Sequence, residues 1–188
     1  MICILFFFHA HNTIGDTMLY YINSLYLYSL LGFILESTIY KIKNSKRHSS
    51  IFYGPITMVY GFGIVFLLLV KRYFLDKLKI NGFKKIIITF LASMITLTFI
   101  EWLGGSILYQ LFHINLWDYS KKSIHFGKYI CLDLALVWGA LGTLYLYYFK
   151  NITDKIIAII TPKTTASFLI INLIDTIFVF INKFAYWK

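Results

Sequence analysis

Apolar residues fall into long, nearly unbroken runs along this chain, without the alternation that marks half-buried strands or the narrow stripe of a soluble amphipathic helix. About 20 such residues cross a hydrocarbon core as helix, and the polar punctuation predicts five spans, over residues about 19–40, 55–70, 85–112, 129–149 and 166–181. A basic stretch at 41–50 closes the first span. Gly54-Pro55 opens the second, because proline suits the first helical turn, where its missing N–H is not needed. The third is long enough to tilt or to break near Gly104-Gly105, and the fourth carries Asp133 one turn inside. Residues 156–165, with Pro162 among them, read as a short interfacial piece ahead of the fifth span, which holds Asp175. The expected fold is an all-α integral membrane bundle, two tandem helical hairpins plus one helix, forming a single domain over 18–184.

Residues 1–17 stand apart. The apolar run 2–8 is too short to span, and without a basic n-region or a small-residue cleavage site before Asp16 it does not read as a signal peptide. Two readings stay open: Met18 is the true start, or the segment is interfacial and anchored by its phenylalanines.

Composition sharpens the class. The 188 residues are 59% hydrophobic and 14% charged, with mean hydropathy +0.72, against roughly 45–50% and 25% in soluble domains. Two prolines and 11 glycines leave no linker long enough to divide the chain. A formal charge of +10 could indicate nucleic acid, but the cations sit in short clusters at 41–47, 71–85 and 121–122, between apolar runs. That layout suits anchoring on anionic lipid and excludes a nucleic-acid groove. Counted by side, nine Lys and Arg fall with the first and third loops and the C-terminus, and nine fall opposite, so charge does not orient the chain. Cys3 and Cys131 are far apart in apolar sequence and read as buried thiols without a metal set.

Glu101 is the conspicuous polar residue, since a carboxyl inside an apolar span needs a proton, a partner or water. Spans one and three run one way and two and four the other, so Glu36, Glu101, Asp133, Tyr60 and the loop residues Trp117, Asp118 and Tyr119 all fall in one half of the bilayer, Glu101 deepest. Together they form a candidate polar vestibule. A plainer reading stands beside it: Glu36 and Asp133 lie shallow enough to be solvated, and Trp102, Trp117 and Tyr119 also suit an aromatic belt. Gly32, Gly54, Pro55, Gly61, Gly63 and Gly139, with Gly104, Gly105 and Gly142, mark close approaches between helices. A faint repeat links Phe33-Ile34-Leu35-Glu36 and Tyr60-Gly61-Phe62-Gly63 to Phe99-Ile100-Glu101 and Trp138-Gly139-Ala140-Leu141-Gly142, one helical hairpin each, with a site expected between them.

Haem, zinc and nucleotide chemistry find no footing. The five histidines, His9, His11, His48, His113 and His125, lie off the spans, so no bis-histidine haem or zinc site can be built on helices. No phosphate-binding Gly-x-x-x-x-Gly-Lys-Ser/Thr loop occurs, so the chain is not its own ATPase. No metal or cofactor is expected, and no enzyme activity.

Gly32 and Glu36-Ser37, Gly54-Pro55 with Tyr60-Gly61-Phe62-Gly63, Glu101, Leu111-Phe112-His113, Trp117-Asp118-Tyr119-Ser120, Ile130-Cys131-Leu132 and Trp138-Gly139 together resemble the bacterial membrane family described as putative type IV ABC-transporter permeases, or CmpB-like. The resemblance covers roughly 25–150. It departs where Phe33 and Leu35 replace expected tryptophans, Tyr53 an asparagine, Tyr109 an acidic residue, and Gly127-Lys128-Tyr129 a Gly-Arg pair. It implies a multi-pass permease-like subunit in a cell membrane, moving a small substrate with a separate ATPase as partner. Other copies of the chain are a further candidate partner. The rival classes are a membrane scaffold or regulator, and an intramembrane acid/base enzyme using Glu101 with Glu36 or Asp118.

Overall fold

A segment without water for its backbone must satisfy every N–H and C=O internally, which an open chain does as α-helix. The apolar runs all fold that way in the computed structural model, which describes residues 2–44 and 50–184, with side chains between 15 and 182. Among the described residues, five helices are long and apolar enough to cross a membrane: Gly15–Ile42, Met58–Lys77, Phe83–Phe112, Leu132–Ala158 and Pro162–Asn182. The elements are α1 (Ile2–Ile42), α2 (Met58–Tyr73), α3 (Phe83–Phe112), strands β1 (His125–Phe126) and β2 (Ile130–Cys131), α4 (Leu132–Leu144), α5 (Lys150–Ala158) and α6 (Pro162–Val179). Lys46, Arg47, His48 and Lys188 lie outside the described residues, and of Cys3, His9, His11 and Lys183 only the backbone is described.

Several boundaries differ from those the sequence predicts. Helix α1 begins at Ile2, so residues 2–17 are helical and continuous with the first span. Pro55 does not open α2; the helix starts at Met58 after Thr57, and Pro55 sits in the bends before it. Helix α3 runs unbroken through Gly104-Gly105. The fourth span starts later, at Leu132, because β1 and β2 pair antiparallel across a turn at Gly127, whose φ of 62° suits a residue without Cβ. It also continues past 149: a π-helical turn at Tyr145–Phe149 joins α4 to α5. The piece expected to lie at the interface is therefore the end of a long helix, and Pro162 takes the first turn of α6, where Thr161 caps by accepting from the Thr164 N–H.

α1 packs on α2, α2 on α3 and α3 on α4, so two antiparallel hairpins lie side by side, while α5 and α6 lean on α1. The buried face of α4 is small, Ala135, Gly139 and Gly142, and meets α3. After the π turn, α5 instead buries Thr153 and Ile157, and Tyr28 of α1 donates to the Thr153 hydroxyl at 2.6 Å. Tyr28, Leu67, Leu68 and Tyr145 form the apolar core here. α6 buries Thr165, Asn172 and Val179, a stripe at seven-residue spacing, and leaves its other faces open to lipid. Thr165 donates to Asn23 Oδ1 of α1 at 2.7 Å.

Candidate functional site

Glu101 lies on α3 with 8% of its surface exposed, where an unpartnered carboxyl would cost roughly 2.5 kcal/mol or more. Its partners come from two directions. The Tyr119 hydroxyl, from the α3–α4 loop, donates to Oε1 at 2.7 Å, and the Trp138 indole N–H, from α4, donates to Oε2 at 2.7 Å. Tyr60 and Glu36, which share the candidate vestibule with Glu101, bond to each other instead: Tyr60 donates to Glu36 Oε1 at 3.1 Å. The two glutamates are nonetheless joined, because the Tyr60 and Trp138 rings meet edge to face with centroids 5.8 Å apart. Glu36, Tyr60, Trp138, Glu101 and Tyr119 thus form one connected cluster at the side of the bundle where α1 and α3 end. Among the described residues, no Lys, Arg or His makes an ion pair with either glutamate.

The packing beneath the cluster repeats. Gly61 approaches Leu25 and Ser29, eleven and seven residues before Glu36, and Gly139 approaches Phe90 and Met94, eleven and seven before Glu101. In each hairpin the residue before that glycine, Tyr60 or Trp138, donates to the hairpin's own glutamate. The hairpins are therefore built in one register, with the cluster where they meet. Glycine is needed because a Cβ at Gly61 would overlap the Leu25 carbonyl and one at Gly32 the Tyr60 ring, while at Gly139 it would come within 2.8 Å of the Phe90 ring. Gly63 has more room, 3.0 Å from a Leu97 methyl.

The second hairpin differs in its longer loop, which folds back onto α3. Tyr129 lies over Gly105, where a Cβ would come within 2.7 Å of its ring, and meets Trp117 edge to face at 6.3 Å. Its hydroxyl donates to Asn115 Oδ1 at 2.6 Å, and the Tyr119 N–H donates to the Lys128 carbonyl at 2.7 Å. Burial, with the Glu101 carboxylate beside it, holds the Tyr119 phenol well above the ordinary tyrosine range, so the hydroxyl stays a donor. Trp117 Nε1 is buried without a hydrogen-bond partner among the described residues.

Of the other carboxyls, Asp118 and Asp133 are not drawn into the cluster. Asp118 is exposed; hydrogen bonding from Ser120, including its N–H at 2.8 Å, holds it below the usual carboxylate range. Asp133 is exposed and pairs with Lys122 at 3.3 Å. Asp175 has a separate role: the Tyr53 and Gly54 N–H groups donate to its two oxygens at 3.0 and 2.8 Å. Gly54 and Pro55 thus shape a loop that grips α6, and a Cβ at Gly54 would stand 3.1 Å from Asp175 Oδ2. Sequence reasoning missed Trp138 as a donor, although its place in the repeat opposite Tyr60 was the available signal. Among the described residues no three His, Cys, Asp or Glu side chains converge as a metal set.

A family model described as Putative ABC-transporter type IV matches residues 23–183. No curated protein and no solved structure matches the chain.

Proposed function

The chain belongs to the Putative ABC-transporter type IV family, and from that premise we propose that this multi-pass membrane protein is a permease-like subunit of a bacterial cell membrane, working with a separate ATPase to move a small polar substrate. The observation that carries the reading is the Glu36–Tyr60–Trp138–Glu101–Tyr119 cluster, a polar assembly with no cation paired to it among the described residues, between two hairpins of matching register. The two glutamates divide the work. Glu101 is buried with both oxygens engaged and anchors the cluster. Glu36 is half-buried and spends one oxygen on Tyr60, so it is the group that faces substrate. Both oxygens of Glu101 being occupied also argues against its use as a general acid or base, and no enzyme activity is proposed.

Purification from native membranes in mild detergent tests this reading. A nucleotide-hydrolysing subunit should copurify, with ATPase activity that falls in Glu36→Gln while the complex stays intact. Recovery of the chain with only non-ATPase proteins would favour a scaffold or regulator.

A further inference from the structure

At the opposite end of the bundle from the glutamates, a cavity of about 400 Å³ opens between the start of the first span, the end of α2 and the α4–α5 junction. Its charged lining is Asp16, Lys71, Arg72, Asp76 and Lys150, with Tyr20 beside them. Most of these charges are already matched. Lys71 pairs with Asp76 at 2.7 Å. Lys150 pairs with Asp154, whose other oxygen accepts from the Tyr20 hydroxyl at 2.8 Å. That leaves Arg72 and Asp16, neither of which is in an ion pair among the described residues. Arg72 is hydrogen-bonded to the neutral Tyr21, so one cation and one anion without a charged partner among the described residues share the cavity.

The level of the cavity identifies what reaches it. The apolar run of α2 ends at Val70 and the first charges follow at once, while Arg72 lies over the Tyr73 ring at 5.7 Å and Lys150 over Tyr20 at 5.8 Å. Tyrosines and cations together mark the depth where hydrocarbon gives way to headgroups. A guanidinium fork matches phosphate oxygens, and a carboxylate matches an ammonium.

We propose that this cavity binds the headgroup of an aminophospholipid, its phosphate on Arg72 and its ammonium on Asp16. A purely anionic headgroup would leave Asp16 facing like charge. A choline headgroup would offer Asp16 no N–H donor. The volume lies within the range of small-ligand sites and admits the headgroup while the acyl chains stay in the bilayer. Soluble glycerophosphoethanolamine carries the same phosphodiester and ammonium, and the opening at headgroup level favours the lipid as source.

The test is native mass spectrometry of the whole protein, extracted in mild detergent from bilayers of equal phosphatidylethanolamine, phosphatidylglycerol and phosphatidylcholine. The wild type should retain phosphatidylethanolamine over the other two. Arg72→Gln should lower that retention about fivefold, the weight of one interfacial charge, and Asp16→Asn should abolish the preference over phosphatidylglycerol. Circular dichroism checks that both variants fold; since neither residue is ion-paired among the described residues, both should. In a second arm, vesicles containing phosphatidylethanolamine should raise the thermal midpoint and soluble glycerophosphoethanolamine should not. A wild type that prefers phosphatidylglycerol, variants that retain lipid unchanged, or an equal shift from the soluble headgroup would overturn the proposal.

Discussion

Glu101 is held by two neutral donors from two separate segments, and that fixes what its substitutions do. Glutamine keeps the shape: its oxygen accepts from Trp138 while its amide donates to a Tyr119 hydroxyl that has turned to accept. Glu101→Gln should stay within about 1 kcal/mol of the wild type, whereas Glu101→Leu strands two part-buried donors at about 1–3 kcal/mol each. Thermal midpoints in detergent separate them; a leucine variant as stable as wild type would show that the bonds from Tyr119 and Trp138 contribute nothing. The glycines give a second contrast. A Cβ at Gly61 meets the Leu25 backbone, which cannot move aside, but one at Gly63 meets a Leu97 methyl, which can. Gly61→Ala should lower stability by about 1–3 kcal/mol, the usual penalty of overpacking, and Gly63→Ala by much less, read in the same melts. At this scale the sequence was informative where a polar group interrupts an apolar run, as at Glu36, Tyr60 and Glu101. It could not distinguish Asp118 and Asp133 from these, because exposure depends on which way a loop or a first helical turn points.

Between elements, the α3–α4 loop is attached to the bundle by Tyr119 on Glu101 and by Tyr129 and Trp117 over the small residues Gly104-Gly105. Tyr119→Phe removes a hydrogen bond to a carboxylate worth about 1.5–3 kcal/mol, and local opening of the loop should rise accordingly. Trypsin cleavage at Lys121-Lys122 in reconstituted protein, added from the side where that loop is accessible, should be at least about fivefold faster in this variant; an unchanged rate would show that the aromatic contacts alone hold the loop. Helix existence was legible at this scale because apolar length decides it. Helix ends were less so. Pro162 and Pro55 look alike in sequence, yet Pro162 starts α6 behind the Thr161 cap, while the Pro55 segment is drawn into a bend by Asp175, a partner about 120 residues away. The β1–β2 hairpin depends on Gly127 and on contacts of the loop with α3, which no apolar period encodes.

For the whole molecule, the odd number of spans among the described residues predicts that reporter fusions at Met18 and Lys188 read opposite compartments. The nine-to-nine split of basic residues predicts no side for either, so those fusions also supply the orientation. The internal repeat was faint as a string of letters and clear as packing, since the shared feature is the distance from each glutamate back to the residues its glycine touches. The two hairpins meet at the depth of the glutamates. A Cβ at Gly104 would lie 3.6 Å from a Val59 methyl, beside Tyr60 on one helix and Glu101 on the other, which is room enough for a disulfide. The direct test is Val59→Cys with Gly104→Cys in a Cys3→Ser, Cys131→Ser background, with a protease site inserted between α2 and α3. After mild oxidation in native membranes and cleavage, the two halves should stay together on a denaturing gel until reduced; halves that separate without reductant would contradict the account.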